Sequence, residues 1–327
     1  MTQKILISTG GSGGHVIPAT ILHDHLSVNT DIILASDKRG YRFLDNNFDN
    51  VKIIDTPRLN NFFLLPFNFL RIFFLSIQSL IFLKKQKINI IFSTGGYMSL
   101  PIILAGRLLN LKIFLLEPNL VLGRANKLFL SFCEKIFCYT DKIKKFPNKY
   151  KDKIVIINPL VKKKFYENSI NEIKNDKFTI LVVGGSQGAS IFDENLKNKI
   201  VKLSKEFSVK IIHQTSKKNI FHLEKFYSDN YIENLIFDYD NDLINKIIKS
   251  DLCITRAGAS TLAELSILNT PFIAIPLPSS KDNHQFENAN FYESKGCCWI
   301  IEQDLFDEKI EQLIRNIFKK KSVFIEK

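Results

Sequence analysis

A histidine closing a glycine-rich turn, a glutamate just inside a predicted helix, and two amides three residues apart have the spacing to do chemistry. The histidine is His15, in Gly10-Gly11-Ser12-Gly13-Gly14-His15, after the β-branched run 4–9 and before Pro18. A strand, a glycine turn and a helix start open backbone amides to an anion, which makes Ser12, Gly13 and Gly14 candidate contacts. His15 falls at the mouth of that turn, where the positive helix end favours the neutral ring that a general base needs. A histidine that merely supports the turn would read the same. A second turn, Gly184-Gly185-Ser186-Gln187-Gly188, follows the run 179–183 in the same way and offers Ser186 and Gln187. One glycine turn alone serves many nucleotide binders.

Four further segments carry polar groups beside predicted strands. Ser93-Thr94-Gly95-Gly96-Tyr97 follows the strand 88–92; Gly95 and Gly96 leave amides open and Tyr97 offers a hydroxyl, although an ordinary βα loop is equally consistent. Leu116-Glu117-Pro118-Asn119, with Gly123 to Asn126 downstream, puts Glu117 and Asn119 at a strand end, where acceptor-binding groups collect. In 251–264 a strand, a small-residue turn at Gly258-Ala259 and a helix from about Ser260 or Thr261 suit a pyrophosphate. Glu264 then lies where it could accept two ribose hydroxyls, but Thr261-x-x-Glu264 is also a capping box. Gln285 and Asn288 share one helix face and have the hydrogen-bonding style used for sugar hydroxyls; a solvated face is the alternative. Asp238-Tyr239-Asp240 has a metal-binding D-x-D form, but that form belongs to an architecture with one nucleotide-binding half. No metal is expected there.

Positioning these groups takes an alternating framework. Strands are expected at 31–35, 51–54, 88–92, 112–116, 135–138, 154–157, 178–183, 209–213, 235–237, 252–255, 272–275 and 297–301, with helices at 18–27, 101–109 and 284–294. Repeated β-α-β implies parallel sheets covered on both faces. The 327 residues exceed one usual core. Polar lysine-rich stretches at 141–153 and 162–177 bracket Asn158-Pro159, dividing the chain into 1–158 and 159–327. The expected fold is α/β: two Rossmann-like domains facing across a cleft. One larger dehydrogenase-like unit would leave the second glycine turn unexplained.

Hydrophobic residues make up 45% of the chain, which excludes wholesale disorder. The net charge of +12 favours an acidic partner (nucleic acid, anionic lipid or a phosphorylated substrate) or reflects a lysine-rich composition alone. The N-terminus leads directly into a strand, so no signal peptide is expected. The 5 cysteines are odd in number, lie in or beside apolar runs and lack metal spacing, as buried thiols in a reducing compartment do. Residues 62–83 read FFLLPFNFLRIFFLSIQSLIFL, between Arg58 and Lys84-Lys85. A membrane span needs about 20 apolar residues, and Pro66, Asn68, Arg71 and Gln78 interrupt this run. A core helix is a second reading. The expected one is a helix whose aromatic face dips into a membrane surface, with cations at its rim.

GGSGGHVIPA, GGYMSLP, NLVLGRANK, VVGGSQGAS, AGASTLAE and KDNHQFENA occur in this order between residue 8 and about residue 290. Together they resemble the family of bacterial N-acetylglucosaminyltransferases that convert lipid I to lipid II in peptidoglycan synthesis. The resemblance implies the GT-B fold and inverting transfer from UDP-GlcNAc to undecaprenyl-pyrophosphoryl-MurNAc-pentapeptide, with no cofactor. The acceptor would use the N-terminal domain and UDP-GlcNAc the C-terminal one. By the same resemblance Glu264 would hold the ribose, Gln285 and Asn288 the GlcNAc hydroxyls, and Ser186, Gly258 and Ala259 the phosphates, with uracil near 239–243. Ser12, Gly13, Gly14, Gln187 and Asn119 are further donor-site candidates. His15 as base, Gly95, Gly96, Tyr97 and Asn119 would line the acceptor site. The run 62–83 falls where the family carries its membrane patch. A peripheral enzyme on the cytoplasmic face of the inner membrane is implied. Its partners would be an anionic membrane surface and cell-wall synthesis proteins, not nucleic acid. Two motifs depart from the family. His-Glu-Gln-Asn becomes Leu116-Glu117-Pro118-Asn119, and Asn-Pro-Val-Arg becomes Asn158-Pro159-Leu160-Val161-Lys162. Lys162 is then the candidate phosphate contact, a point charge without arginine's fork. The alternatives are a GT-B transferase acting on another glycolipid and a UDP-GlcNAc 2-epimerase-like isomerase, which would need no lipid acceptor.

Overall fold

The structure, a computed structural model, describes residues 3–44, 48, 50–57, 65–167, 176–185, 189–238, 240 and 243–325. It divides into two compact units, Met1–Lys163 and Lys164–Lys327. The segment after Asn158-Pro159 stays with the first unit through bonds that include one to His25 and one to Tyr139. His25 Nε2 donates to the Val161 carbonyl at 2.8 Å, and the Leu160 amide donates to Tyr139 Oη at 3.1 Å.

The first unit holds strands β1 (Lys4–Ser8), β2 (Asp31–Ser36), β3 (Val51–Ile53), β4 (Ile90–Ser93), β5 (Lys112–Glu117), β6 (Lys135–Cys138) and β7 (Ile154–Ile156). Its helices are α1 (Gly13–Leu26), α2 (Lys38–Tyr41), α3 (Leu65–Lys85), α4 (Leu100–Leu108) and α5 (Arg124–Phe129). The strands form one parallel sheet in the order β3-β2-β1-β4-β5-β6-β7. In the second unit the strands are β8 (Phe178–Val183), β9 (Val209–Gln214), β10 (Glu233–Phe237), β11 (Leu252–Thr255), β12 (Phe272–Ala274) and β13 (Cys298–Ile300). Its helices are α6 (Lys164–Glu167), α7 (Lys197–Leu203), α8 (Ile220–Asp229), α9 (Ile244–Ile248), α10 (Ala259–Ile267), α11 (His284–Glu293) and α12 (Phe306–Ile325). That sheet is also parallel, in the order β10-β9-β8-β11-β12-β13.

All six residues of β8 are buried, as a parallel strand covered on both faces requires. Helix α12 closes that unit's core with Phe306, Ile310, Ile314 and Ile317, one stripe at helical spacing. In each sheet the chain's direction of travel reverses beside the first strand, between β1 and β4 and again between β8 and β11. Ligands of open α/β sheets bind past the strand C-termini at such reversals. Both glycine-rich turns sit there.

One local expectation changes, and one alternative reading falls away. Helix α1 starts at Gly13, not at Pro18, because the Ser12 carbonyl already accepts from the His15 and Val16 amides at 3.0 and 3.2 Å. Pro18 is therefore interior and removes one helical hydrogen bond. Helix α3 is also not an ordinary surface helix. Asn68, Ile72, Ser79 and Leu83 face inward, whereas Phe67, Phe69, Leu70, Phe73, Phe74, Ile77 and Ile81 are exposed. Ser76 and Ser79 donate to the Ile72 and Leu75 carbonyls of the same helix, which satisfies these hydroxyls locally. Only 28% of the apolar window is buried, so α3 is not a core helix, although Pro66–Lys85 is long and apolar enough to cross a membrane.

Candidate functional site

In the first unit the switch point gathers the loops after β1, β4 and β5. The first is held by Asp37, which follows β2 as the N-cap of α2 and is 1% exposed. Its Oδ1 accepts from the Gly11 and Gly40 amides, both at 2.8 Å, and Oδ2 from Arg39 Nε at 2.8 Å. Burial pushes this carboxyl up, but the two amides and Arg39 outweigh it and leave it below the usual carboxylate range. Beyond the turn, the Gly13 and Gly14 amides open α1 without helical partners, and Ser12 is the exposed N-cap.

His15 lies in the first turn of α1, half-buried, and is fixed from the β4 loop. Its Nδ1 is 2.9 Å from the Thr94 carbonyl, which can only accept, so Nδ1 carries the proton. In the neutral ring Nε2 then holds the lone pair. Thr94 Oγ1 lies 2.9 Å from the His15 carbonyl and 2.8 Å from Thr9 Oγ1. Its single hydrogen goes to the carbonyl, and Thr9 donates to it. Gly95 and Gly96 have φ of +94° and +87°. A methyl on Gly95 would lie 3.1 Å from His15 Cε1, and one on Gly96 3.0 Å from the Gly10 carbonyl oxygen. Both positions require glycine for conformation and space. Tyr97 follows, 42% exposed.

The β5 loop is organised by Glu117, a buried carboxylate that serves the fold. It accepts from the Asn119 amide and Nδ2, the Gly123 amide, and Asn126 Nδ2, at 2.8 to 3.2 Å. Asn119 is half-buried above it, and Lys162 is half-buried after β7.

In the second unit the turn after β8 shows Gly184 and Gly185, whereas Ser186 and Gln187 lie outside the described residues, as do Tyr239, Asn241 and Asp242 near the expected uracil position. After β11, Gly258 caps α10 in an extended conformation, leaving the Ala259, Ser260 and Thr261 amides without helical partners. The capping-box reading would need Thr261 outside the helix. It lies inside, so that role for Glu264 is removed, and Glu264 is 9% exposed one turn further on. Arg256 braces this edge. It donates through Nη1 to the Ile275 carbonyl at 3.1 Å and through Nη2 to Gln303 Oε1 at 2.7 Å, with its guanidinium 5.3 Å over the Phe192 ring. Gln285 and Asn288 are not presented side by side. Asn288 is fully buried, its Nδ2 donating to the Ala257 carbonyl at 3.2 Å, so it braces the α10 turn. Gln285 Oε1 accepts from the Leu277 amide at 3.0 Å, and its Nε2 has no partner among the described residues. Asp238 pairs with Lys217 at 3.7 Å, and Asp240 pairs with Lys246.

Asp37, Thr94, Asn126 and Arg256 were given no role by sequence reasoning. Asp37 had one available signal: an acid between a strand and a short Lys-Arg-Gly turn is an N-cap pattern. Thr94 and Arg256 act through contacts distant in the chain, and Asn126 through the strand end nine and ten residues before it.

The glycosyltransferase family 28 N-terminal domain matches residues 5–138, and the C-terminal domain of that family matches residues 179–327. A UDP-N-acetylglucosamine--N-acetylmuramyl-(pentapeptide) pyrophosphoryl-undecaprenol N-acetylglucosamine transferase of Pelagibacter ubique is 49% identical, covering 100% of this chain and 93% of that protein. One of the same name from Rickettsia felis is 32% identical over 96% of this chain and 91% of its own length. The crystal structure of Acinetobacter baumannii MurG superposes with a TM-score of 0.76 at 23% identity, over 97% of this chain and 91% of that one. A UDP-N-acetylglucosamine 2-epimerase structure shares the fold at a TM-score of 0.65 and 14% identity, covering 97% of this chain and 88% of its own. The two parallel-sheet α/β units are those of the GT-B fold. With both family 28 domains present and near-complete coverage of curated relatives, the chain belongs to the family of UDP-N-acetylglucosamine--N-acetylmuramyl-(pentapeptide) pyrophosphoryl-undecaprenol N-acetylglucosamine transferases.

Proposed function

We propose that this chain moves N-acetylglucosamine from UDP-GlcNAc to undecaprenyl-pyrophosphoryl-MurNAc-pentapeptide, with inversion. The full-length likeness to the Pelagibacter ubique transferase carries the reading. The two switch points suit it chemically. A hydroxyl oxygen of the acceptor sugar attacks the anomeric carbon while the bond from that carbon to the diphosphate oxygen breaks. The electron pair leaves with UDP, and the hydroxyl proton passes to His15 Nε2. The α10 amides of Ala259 onwards, with Gly258 and the turn holding Ser186 and Gln187, stabilise the charge growing on UDP. Glu264 accepts from the ribose hydroxyls, and Gln285 Nε2 donates to the GlcNAc hydroxyls in front of the Asn288 brace. Ser12, Gly13 and Gly14 contribute further donor contacts. Gly95, Gly96, Tyr97 and Asn119 line the acceptor site, and Lys162 supplies a cation to phosphate.

The acceptor's lipid tail gives α3 its role. Phenylalanines pointing to solvent, with Lys84 and Lys85 exposed at the helix end, suit shallow insertion into an anionic surface. A crossing is opposed by connectivity. The helix joins β3 to β4 of one sheet and packs along α4, so its inner side stays on protein. The enzyme is thus peripheral, on the cytoplasmic face where nucleotide sugars are found, and its partners there include other cell-wall synthesis proteins. Purified protein, labelled UDP-GlcNAc and lipid I or a short-chain analogue make the test. Transfer of label to the lipid is expected. Consumption of UDP-GlcNAc without acceptor would favour the isomerase reading, and transfer only to another glycolipid would overturn the acceptor assignment.

A further inference from the structure

The peptide between Thr94 and Gly95 is pinned at both of its polar groups. Its N–H, the Gly95 amide, donates to Ser93 Oγ at 3.2 Å, and its carbonyl faces His15 Nδ1 at 2.9 Å. The sheet register brings a threonine to this place. Strands β1 and β4 pair through Ser8 and Ser93, so the residues that follow, Thr9 and Thr94, lie side by side past the strand ends. The Thr94 amide closes that edge on the Ser8 carbonyl at 3.1 Å, and the Thr9 amide on the Ala35 carbonyl at 2.9 Å. Both threonines are fully buried. Their hydroxyls form one chain: Thr9 Oγ1 donates to Thr94 Oγ1 at 2.8 Å, which donates to the His15 carbonyl at 2.9 Å. Thr94 thus grips His15 twice, at the ring through its carbonyl and at the main chain through its hydroxyl. The other ring nitrogen, Nε2, has no partner among the described residues.

A neutral imidazole carries its proton on either nitrogen, and only the form with Nε2 free accepts a proton there. The bond at Nδ1 makes that choice, and it does so only while ring and carbonyl stay aligned, because a bent hydrogen bond weakens steeply. We infer that Thr94 is the positioning residue of His15: its carbonyl selects the tautomer, and its hydroxyl, backed by Thr9, keeps that carbonyl against the ring. The inference rests on the proposed function and deepens it, since it gives the base its orienting partner. That partner is a neutral carbonyl dipole, whose negative end also faces the charge that the ring gains on taking the acceptor's proton. The side chain must accept from Thr9 and donate to the His15 carbonyl, which serine can do and valine cannot. A valine methyl would sit where Oγ1 now stands, 2.9 Å from a carbonyl oxygen, whereas carbon keeps about 3.3–3.6 Å from such an oxygen. The loop would then withdraw from α1 and take the Nδ1 bond with it.

The test uses the full chain with heavy nitrogen in its histidine rings, whose NMR shifts report which ring atom holds the proton. His15→Ala identifies the His15 signals by their loss. Under mildly alkaline conditions, where an imidazole is neutral, the wild type should show the proton on Nδ1. Thr94→Val should show a mixture of both forms, with kcat lower by about tenfold or more and the KM of each substrate within about twofold of wild type. Thr94→Ser, which keeps the hydroxyl, should return both spectrum and kcat to near wild type. A wild-type ring protonated on Nε2 overturns the inference. So does Thr94→Val with wild-type kcat, or with a lowered kcat and an unchanged spectrum, which would mark a structural role alone. If Thr94→Val does not fold, Thr9→Val, which removes only the donor to Thr94, is judged by the same two measurements and criteria. Failure of the wild-type enzyme to transfer to lipid I would instead reject the proposed function, and the ring spectrum, taken without substrate, would still decide the Thr94 assignment.

Discussion

Replacing Asp37 with asparagine separates the charge of this carboxylate from its shape. The asparagine oxygen can still accept from the Gly11 and Gly40 amides, which now bond Asp37 Oδ1 at 2.8 Å each. What changes is their strength. A hydrogen bond to a charged group contributes about 1.5–3 kcal/mol and a neutral one about 0.5–1.5, so two amides lose roughly 2 kcal/mol together. The new NH₂ group would also face Arg39. That guanidinium is 41% exposed and can turn to water, so this conflict adds at most about 1 kcal/mol. Asp37→Asn should therefore cost about 2 kcal/mol, roughly a 30-fold change in the unfolding equilibrium.

Urea unfolding followed at several pH values measures this directly. Asp37 is held below the usual carboxylate range in the folded chain, against a value of about 3.9 when unfolded. A depressed folded pKa gives stability that is complete above the unfolded value and is lost as pH falls through the folded one. The gap between wild type and Asp37→Asn should thus be full at pH 7 and narrow below about pH 4. A gap under about 0.5 kcal/mol at pH 7, or one that persists undiminished into acid, would refute the argument that charge-assisted bonds hold the first glycine turn.

His15→Ala should lower turnover by about 10²-fold or more in a folded enzyme with little change in donor KM, and near-normal turnover would place the base elsewhere. Glu264→Ala should raise donor KM about 10-fold or more, the worth of a charge-assisted hydrogen bond; unchanged donor KM would end the ribose role. Phe73→Ser with Phe74→Ser should weaken binding to anionic vesicles by at least about tenfold, since each buried phenyl contributes about 1.5–3 kcal/mol. Turnover of a soluble short-chain acceptor should be unaffected, and vesicle binding equal to wild type would remove α3 from the membrane.

The central strands were legible because parallel strands buried on both faces, such as β8 and β11, are short continuous apolar runs, and each glycine turn followed a strand. The edge strands β3, β7 and β10 are part-exposed but still short runs between turns. Side-chain roles were less legible, for local reasons in each case. The sequence 258–264 supports helix starts a few residues apart, and only the extended backbone at Gly258 shows that Glu264 does not cap α10. Gln285 and Asn288 look equivalent at helical spacing, yet α11 packs so that Asn288 meets the Ala257 carbonyl. In α3 nearly every position is apolar, so periodicity could not tell its faces apart. In the structure Ser79, its hydroxyl bonded within the helix, is buried with Asn68, Ile72 and Leu83, whereas Phe67, Phe69, Phe73 and Phe74 are exposed.

Over their first six strands the two sheets share one order, to which the first adds β7 at its edge, so topology alone gives each unit the same crevice. What differs is the furnishing. Around the β1–β4 reversal stands a histidine with its lone pair set on Nε2, suited to accepting a proton from a hydroxylated sugar. Around the β8–β11 reversal stand open helix amides and a buried carboxylate, with Arg256 turned away into carbonyls and Gln303. That arginine therefore shapes the crevice but offers its hydrogens to the protein, so under the proposed function the diphosphate would meet backbone dipoles. If a fixed arginine were instead the principal anion contact, Arg256→Lys would chiefly weaken nucleotide binding. The geometry predicts that it chiefly lowers stability, because a lysine cannot reach Ile275 and Gln303 together with a rigid fork.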